Sequence, residues 1–199
     1  ARRAPGTSLV EALVLLAIVA LVMVATVPPV LAWAASVRLR HGAAEVASVL
    51  RLARSEAARR STNVGIKFTI EEDGDVAFRL HRDGDGDGVR SSDIASGIDP
   101  ALSPPRRLLH LGAHVRFGFP PGPAPRDPAD PRRRLDDLDD PIRFNRSDLA
   151  VFSPLGESTP GSAYLTDSLR GLAAVRLFGR TGKVKVLVYD PDGETWRLD

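Results

Sequence analysis

Between Ala12 and Ala35 the chain runs for 24 residues without a charged side chain. As an α-helix rising about 1.5 Å per residue, this run covers ~36 Å, against ~30 Å for the apolar core of a bilayer. Arg2 and Arg3 precede it, and Arg38 and Arg40 follow it. By length and composition alone it fits a membrane anchor, a buried core helix or a secretory signal peptide. Ala32-Trp33-Ala34 has the small-x-small pattern of a signal-peptide cleavage site. Two features oppose that reading. The apolar stretch exceeds the ~7–15 residues usual for a signal peptide, and an acid, Glu11, stands at its head.

Glu11 narrows the choice further. A carboxylate on a membrane helix costs a few kcal/mol at mid-bilayer depth and less near the interface, so it calls for a partner. Just upstream lies a short basic leader, Arg2-Arg3-Ala4-Pro5-Gly6, then Thr7-Ser8-Leu9-Val10-Glu11. A cut after Gly6 would make Thr7 the first residue, with an amine of pKa near ~8 that is mostly cationic at neutral pH. The Glu11 of a neighbouring subunit would neutralise it. Gly6-Thr7-Ser8-Leu9-Val10-Glu11 followed by the apolar run resembles the type IV prepilin signature, with Thr7 in the place of the usual phenylalanine. The resemblance implies cleavage after Gly6 by the prepilin peptidase, N-methylation of Thr7, and a role for Glu11 in filament assembly. Pro28 and Pro29 each remove an amide donor, and a kink or local opening of the helix is expected there.

Past the apolar run the helical pattern continues. Val46, Val49, Leu50, Ala53 and Ala57 recur at helical spacing and form one stripe. Arg38, Arg40, Arg51, Arg54, Arg59 and Arg60 occupy the other surfaces, opposed by Glu45 and Glu56, and Asn63 is a natural stop. The segment Arg51-Leu52-Ala53-Arg54-Ser55-Glu56-Ala57, leading into a strand, is similar to the GspH/FimT group of minor pseudopilins. Beyond it the period falls to two in Val64–Ile70 and Val76–Leu80. Further strands are expected at His114–Phe119, Ile142–Phe144, Leu149–Phe152, Ala163–Leu165, Ala173–Leu177, Val184–Tyr189 and Thr195–Leu198. Phe152-Ser153-Pro154-Leu155-Gly156 and the Gly179–Tyr189 hairpin resemble the closing sheet of the same group.

The fold class expected is α+β and pilin-like: a long hydrophobic N-terminal helix packed by its distal half on a mainly antiparallel sheet. The organisation is a leader at 1–6, a transmembrane or filament-core segment at 7–35, a periplasmic half-helix at 36–62 and a β-rich domain at 63–199. A Pro/Arg/Asp-rich loop occupies about 120–141. It holds six prolines between Pro120 and Pro131, and the five arginines and six aspartates between Arg126 and Arg143 nearly cancel. The plain reading is a long solvated loop. Such an insertion is also where a partner-specific contact is placed.

One constellation has ligand character. Asp83-Gly84-Asp85-Gly86-Asp87-Gly88-Val89, followed by Asp93, resembles the start of a calcium loop. Asp83, Asp85 and Asp87 would supply hard oxygens, Val89 a backbone carbonyl, and Asp93 would close a shortened loop. The twelfth position holds Ile94 rather than the bidentate Glu of an EF-hand. The alternative is an acidic turn shielded by Arg82 and Arg90.

Other chemistry is thinly represented. The chain has no cysteine, hence no disulfide, thiolate metal site or thiol nucleophile. Its four histidines, His41, His81, His110 and His114, sit in no metal-binding frame and read as surface or strand-end residues. No nucleophile elbow or phosphate loop occurs, so an enzyme is not expected. Lys+Arg number 27 against 25 Asp+Glu, and a net charge of +2 is no footprint of a nucleic-acid binder.

The resemblance therefore implies a minor pseudopilin. It would be single-pass in the bacterial inner membrane with its globular part in the periplasm. It would be built with other pseudopilins or pilins into a filament of type II secretion or type IV pilus machinery. The alternative is a minor pilin that binds DNA during uptake; Arg106-Arg107 and Arg132-Arg133-Arg134 are its densest basic residues.

Overall fold

The computed structural model describes residues 9–71, 75–108, 115–145 and 147–199. A single helix, α1, spans Leu9–Arg60, 52 residues and therefore about 78 Å long. Every residue from Leu9 to Trp33 is exposed. From Leu39 onward the side chains sort by spacing: Leu39, Gly42, Ala43, Val46, Ala47, Val49, Leu50, Ala53 and Ala57 are buried. These recur three and four apart, so they fall on one face. All five residues of the expected stripe are among them. The helix ends at Arg60, two residues short of the expected boundary, because Ser61 turns to a positive φ of 53°. At this end Glu56 accepts from Arg59 at 2.6 Å and from Arg60 at 2.7 Å. Those hydrogen bonds hold its carboxyl down at about 2, and arginines in a last helical turn also suit the helix dipole.

Nine strands follow among the described residues: β1 Val64–Ile70, β2 Val76–Arg82, β3 Arg116–Phe117, β4 Ile142–Phe144, β5 Leu149–Phe152, β6 Gly161–Thr166, β7 Leu172–Phe178, β8 Lys183–Asp190 and β9 Thr195–Leu198. All pairings are antiparallel. A three-stranded sheet has the order β2-β1-β5, and the larger sheet runs β3-β6-β7-β8-β9 with β4 also on β6. A six-residue helix, α2 (Ser91–Ser96), sits after β2 and was not foreseen, being too short to carry a period.

The core lies between the distal half of α1 and both sheets. Along β7, Ala173, Val175 and Leu177 face it while Leu172 and Ala174 face away, as the alternation of a strand requires. Small residues on both sides, Ala43, Ala47, Ala53 and Ala57 against Ala150, Ala163 and Ala173, let helix and sheet approach closely. Phe68 anchors the centre, 5.7 Å from Phe144 and 5.9 Å from each of Phe78 and Phe117, ring centre to ring centre. Each such side chain, fully buried, contributes about 1.5–3 kcal/mol.

The far face of the larger sheet corrects the solvated-loop expectation. Leu135, Tyr164, Leu172 and Ala174 form a second buried cluster there, with Phe119, Leu138, Leu187, Tyr189 and Trp196 packed against it. The Pro-rich loop lies on this face. It is held by Trp196, whose indole N–H donates to the Arg126 backbone carbonyl at 2.6 Å, and by Glu194, which accepts from the Arg126 and Arg134 side chains. The prolines do exclude regular structure. The apolar residues between them nonetheless cover the sheet's outer face.

Candidate functional site

Two regions carry functional character, the exposed half of α1 and the acidic loop after β2. Gly6 and Thr7, and the leader before them, lie outside the described residues, as do His110 and His114. Glu11 lies in the first turn of α1, where a carboxylate suits the positive end of the helix dipole. The eighteen-residue window of highest hydropathy averages 2.8 and none of it is buried. This helix is thus long and apolar enough to cross a membrane. Pro28 and Pro29 lie within it, and the helix is continuous through both. The hydroxyl of Thr26 donates to the Val22 carbonyl at 2.8 Å in the turn just before them.

The acidic loop is built around two buried carboxylates. Asp83 is 4% exposed. Its oxygens accept from the backbone N–H of Gly86 at 2.6 Å and of Gly88 at 3.0 Å, and from the Asn63 side chain at 2.9 Å. Burial pushes its pKa up, but those hydrogen bonds prevail and hold it below the usual carboxylate range. Asp99, 1% exposed, accepts from Gly84 N–H at 3.0 Å and Arg90 N–H at 2.9 Å. The glycines are required for two different reasons. Gly86 and Gly88 have φ of 94° and 99°. At Gly84 a Cβ would meet the Ile98 carbonyl oxygen at 1.9 Å.

In this frame Asp83, Asp85 and Asp87 converge, each offering a carboxylate oxygen within 4.8 Å of the others. Asp85 and Asp87 are exposed. Asp87 is also paired with Arg90, and its pKa is raised, by desolvation first and then by Asp85 and Asp93 against the opposing Arg90. Asp93 stands on α2, outside the trio, with Oδ2 buried and without a hydrogen-bond partner. Val89 is buried and its side chain packs over Gly65. The set is all oxygen, which suits a hard cation.

Sequence reasoning missed Asp99 and a second role of Asn63. Asp99 lies well beyond the acidic run, and the Asp99-Pro100 turn was its only signal. Asn63, read as a helix stop, is also the side-chain donor to Asp83. His81, at the end of β2, is buried with Nδ1 3.0 Å from the Asp99 carbonyl, a structural contact.

The basic runs proposed for nucleic acid are largely occupied. Arg106 pairs with Glu45 at 3.6 Å and Arg107 with Glu71 at 3.4 Å. Arg132 pairs with Asp130 at 3.0 Å, and Arg134 with Glu194.

The family model described as type II transport protein GspH matches residues 42–193, well over half of the chain. No curated protein and no solved structure matches. The match begins where the stripe of α1 turns inward and ends at the turn before β9, so it spans the distal helix and both sheets. With the long helix packed on antiparallel sheets and its apolar half left uncovered, this match shows that the chain belongs to the GspH family of pseudopilins of type II secretion.

Proposed function

We propose that this chain is a minor pseudopilin, a structural subunit rather than an enzyme, held in the inner membrane before assembly into a periplasmic filament. The observation that carries the reading is the division of α1. Its first 25 residues, Leu9–Trp33, are exposed and, but for Glu11 and Thr26, apolar, while its distal half is locked into the domain. Such a helix is stable in lipid, or against the same helix of neighbouring subunits, and not in water. Cleavage after Gly6 by the prepilin peptidase frees the Thr7 amine, which is then methylated. Glu11 of one subunit neutralises that amine on the next and sets their register. Co-assembly tests this. The full chain is expected to co-purify with companion pseudopilins from membranes, and Glu11→Ala to abolish this without shifting the melting temperature of the domain. Undiminished co-assembly of the Glu11→Ala chain would remove the role assigned to that residue.

A second reading concerns the acidic loop. The convergence of Asp83, Asp85 and Asp87, beside an Asp93 oxygen that is buried without a partner, supports a calcium site. Bound calcium would cancel the repulsion among these carboxylates and stiffen the loop onto β1 through Val89. Added calcium is expected to raise the melting temperature of the full chain, and Asp85→Asn with Asp87→Asn to remove that rise. Equal stabilisation of the double variant, or none of the wild type, contradicts the site.

A further inference from the structure

Two positions along α1, fixed by different observations, coincide. One is where a bilayer would end. Counted from Ala12, just after Glu11, about 20 helical residues match the ~30 Å apolar core of a bilayer, which puts the far interface near Leu31 and Ala32. Trp33 follows and is exposed, as suits an aromatic ring at the headgroup level. The other position is where the domain first reaches the helix. A cleft of about 410 Å³ runs between Ala32, Ser36 and Leu39 of α1 and Leu169, Gly171 and Pro191 of the domain. The turn between β6 and β7 therefore stands at the level of the interface.

That turn is stiff. The buried Asp167 carboxylate accepts from the backbone N–H of Leu169 at 2.9 Å, of Arg170 at 3.1 Å and of Gly171 at 2.8 Å. The Thr166 hydroxyl donates to the Gly171 carbonyl at 2.9 Å. Gly171 lies flush on α1, where a Cβ would meet Leu39 Cδ2 at 2.9 Å. The two long side chains of the turn, Leu169 and Arg170, nonetheless point outward, Leu169 being 59% exposed. A turn fastened in this way cannot fold its leucine out of water.

The charges at this end suit an anionic surface. Arg38 is exposed and has no carboxylate partner among the described residues. Its Cα–Cβ bond tilts toward the helix N-terminus, so its long side chain leans back toward the interface. Arg170 pairs with Asp192 at 3.3 Å, and both side chains are largely exposed. Such a pair contributes little, and a phosphate, which arginine binds in bidentate fashion, can replace the carboxylate. The other acid lining the cleft, Asp167, is occupied by backbone amides.

We propose that the β6–β7 turn is a second membrane contact, made to anionic phospholipid. Leu169 enters the boundary between headgroups and acyl chains, and Arg38 and Arg170 bind lipid phosphates. This contact presupposes that α1 is a membrane segment, and it adds orientation. A lone helix is free to rotate about its axis in the bilayer; the turn fixes which face of the domain lies on the membrane before assembly.

The test uses the full chain in vesicles of phosphatidylcholine and phosphatidylglycerol. These carry lipid spin-labelled at either the top or the middle of the acyl chain. The chain has no cysteine of its own, so single fluorophores are attached through Leu169→Cys, Leu155→Cys or Leu21→Cys. Leu155 is exposed and adjoins Gly156, which lies at the level of Arg54, far from the interface. Quenching at position 169 by the top-labelled lipid is expected, with none at position 155. Omitting phosphatidylglycerol is expected to remove most of it, and so is Arg38→Glu with Arg170→Glu, with the melting temperature unchanged. Quenching at position 21 by the mid-chain label reports insertion of α1 separately. Quenching at 21 with none at 169 would overturn the proposal and leave the membrane segment standing, whereas none at 21 would remove both. Equal quenching at 169 without anionic lipid, or in the charge-reversed chain, would also overturn it.

Discussion

The two halves of α1 share one backbone and differ in what surrounds them. Leu16 in the first half is 66% exposed, whereas Leu50 in the second is fully buried. The first half is apolar on every side and shows no preferred face. The second alternates Ala, Val and Leu with Arg and Glu at helical spacing and buries one face only. The difference shows that hydrophobicity alone does not place a helix in a protein core. Periodicity does, because a sheet can cover only one side of a cylinder, whereas lipid or a bundle of like helices covers them all. The junction lies at residues 34–37, which are half-buried, and Leu39 is the first fully committed residue.

The strongest way to break this contrast is to put the same substitution in both halves. Leu50→Asp is expected to destabilise the domain by roughly 3–5 kcal/mol, the cost of an uncompensated buried charge, and to abolish a cooperative melt. Leu16→Asp is expected to leave the melt of the domain unchanged while impairing membrane retention. Equal destabilisation by both, read by denaturant melts in detergent, would erase the distinction.

The next effect sharpens the far boundary of the buried half. Asn63, just past α1, ties the helix end to Asp83. Asp83→Asn replaces an acceptor of backbone N–H bonds by a side chain that is half donor. It is expected to cost about 1–3 kcal/mol, with faster hydrogen exchange at Gly86 and Gly88 as the local readout. A related, smaller effect follows from titration. The folded pKa of Asp83 is depressed, so its contribution is complete above the unfolded carboxyl pKa of ~3.9 and is lost as pH falls through the folded value. The wild type is expected to lose stability more steeply than Asp83→Asn below about pH 4. Parallel pH–melting curves for the two would contradict this.

The smallest effect belongs to the opposite face. Glu194→Gln removes the negative charge shared by Arg126 and Arg134 and one of the two carboxylate oxygens that accept from them. Both partners are surface-exposed in part, so little global stability is at stake. Faster proteolysis within residues 120–140 is expected, with α1 unaffected. An altered burial of Val46, probed by maleimide labelling of a Val46→Cys chain that has no other cysteine, would mean that the two faces are coupled.

Much of the architecture was legible in sequence because it depends on local alternation. Val64–Ile70, Ile142–Phe144, Leu149–Phe152 and Thr195–Leu198 form strands at their expected bounds, and the stripe from Val46 to Ala57 is buried as its spacing demands. The docking of the Pro-rich loop was hidden because Phe119, Leu135 and Leu138 follow no period, and their supports, Glu194 and Trp196, lie far along the chain. In the acidic loop the converging aspartates were legible from their spacing. The buried girder Asp99 was not, since nothing local marks a carboxylate that accepts amides across a loop.

The central claim is that the uncovered half of α1 is a processed pilin-type segment, and the N-terminus of the mature chain tests it most directly. Co-expression with a prepilin peptidase, followed by N-terminal sequencing and intact-mass measurement, is expected to give Thr7 as the first residue, with the cut lost on changing Gly6. A chain cut after Ala34 would leave the domain without its membrane segment, and an uncut chain would be a simple anchor. Either result would contradict the account.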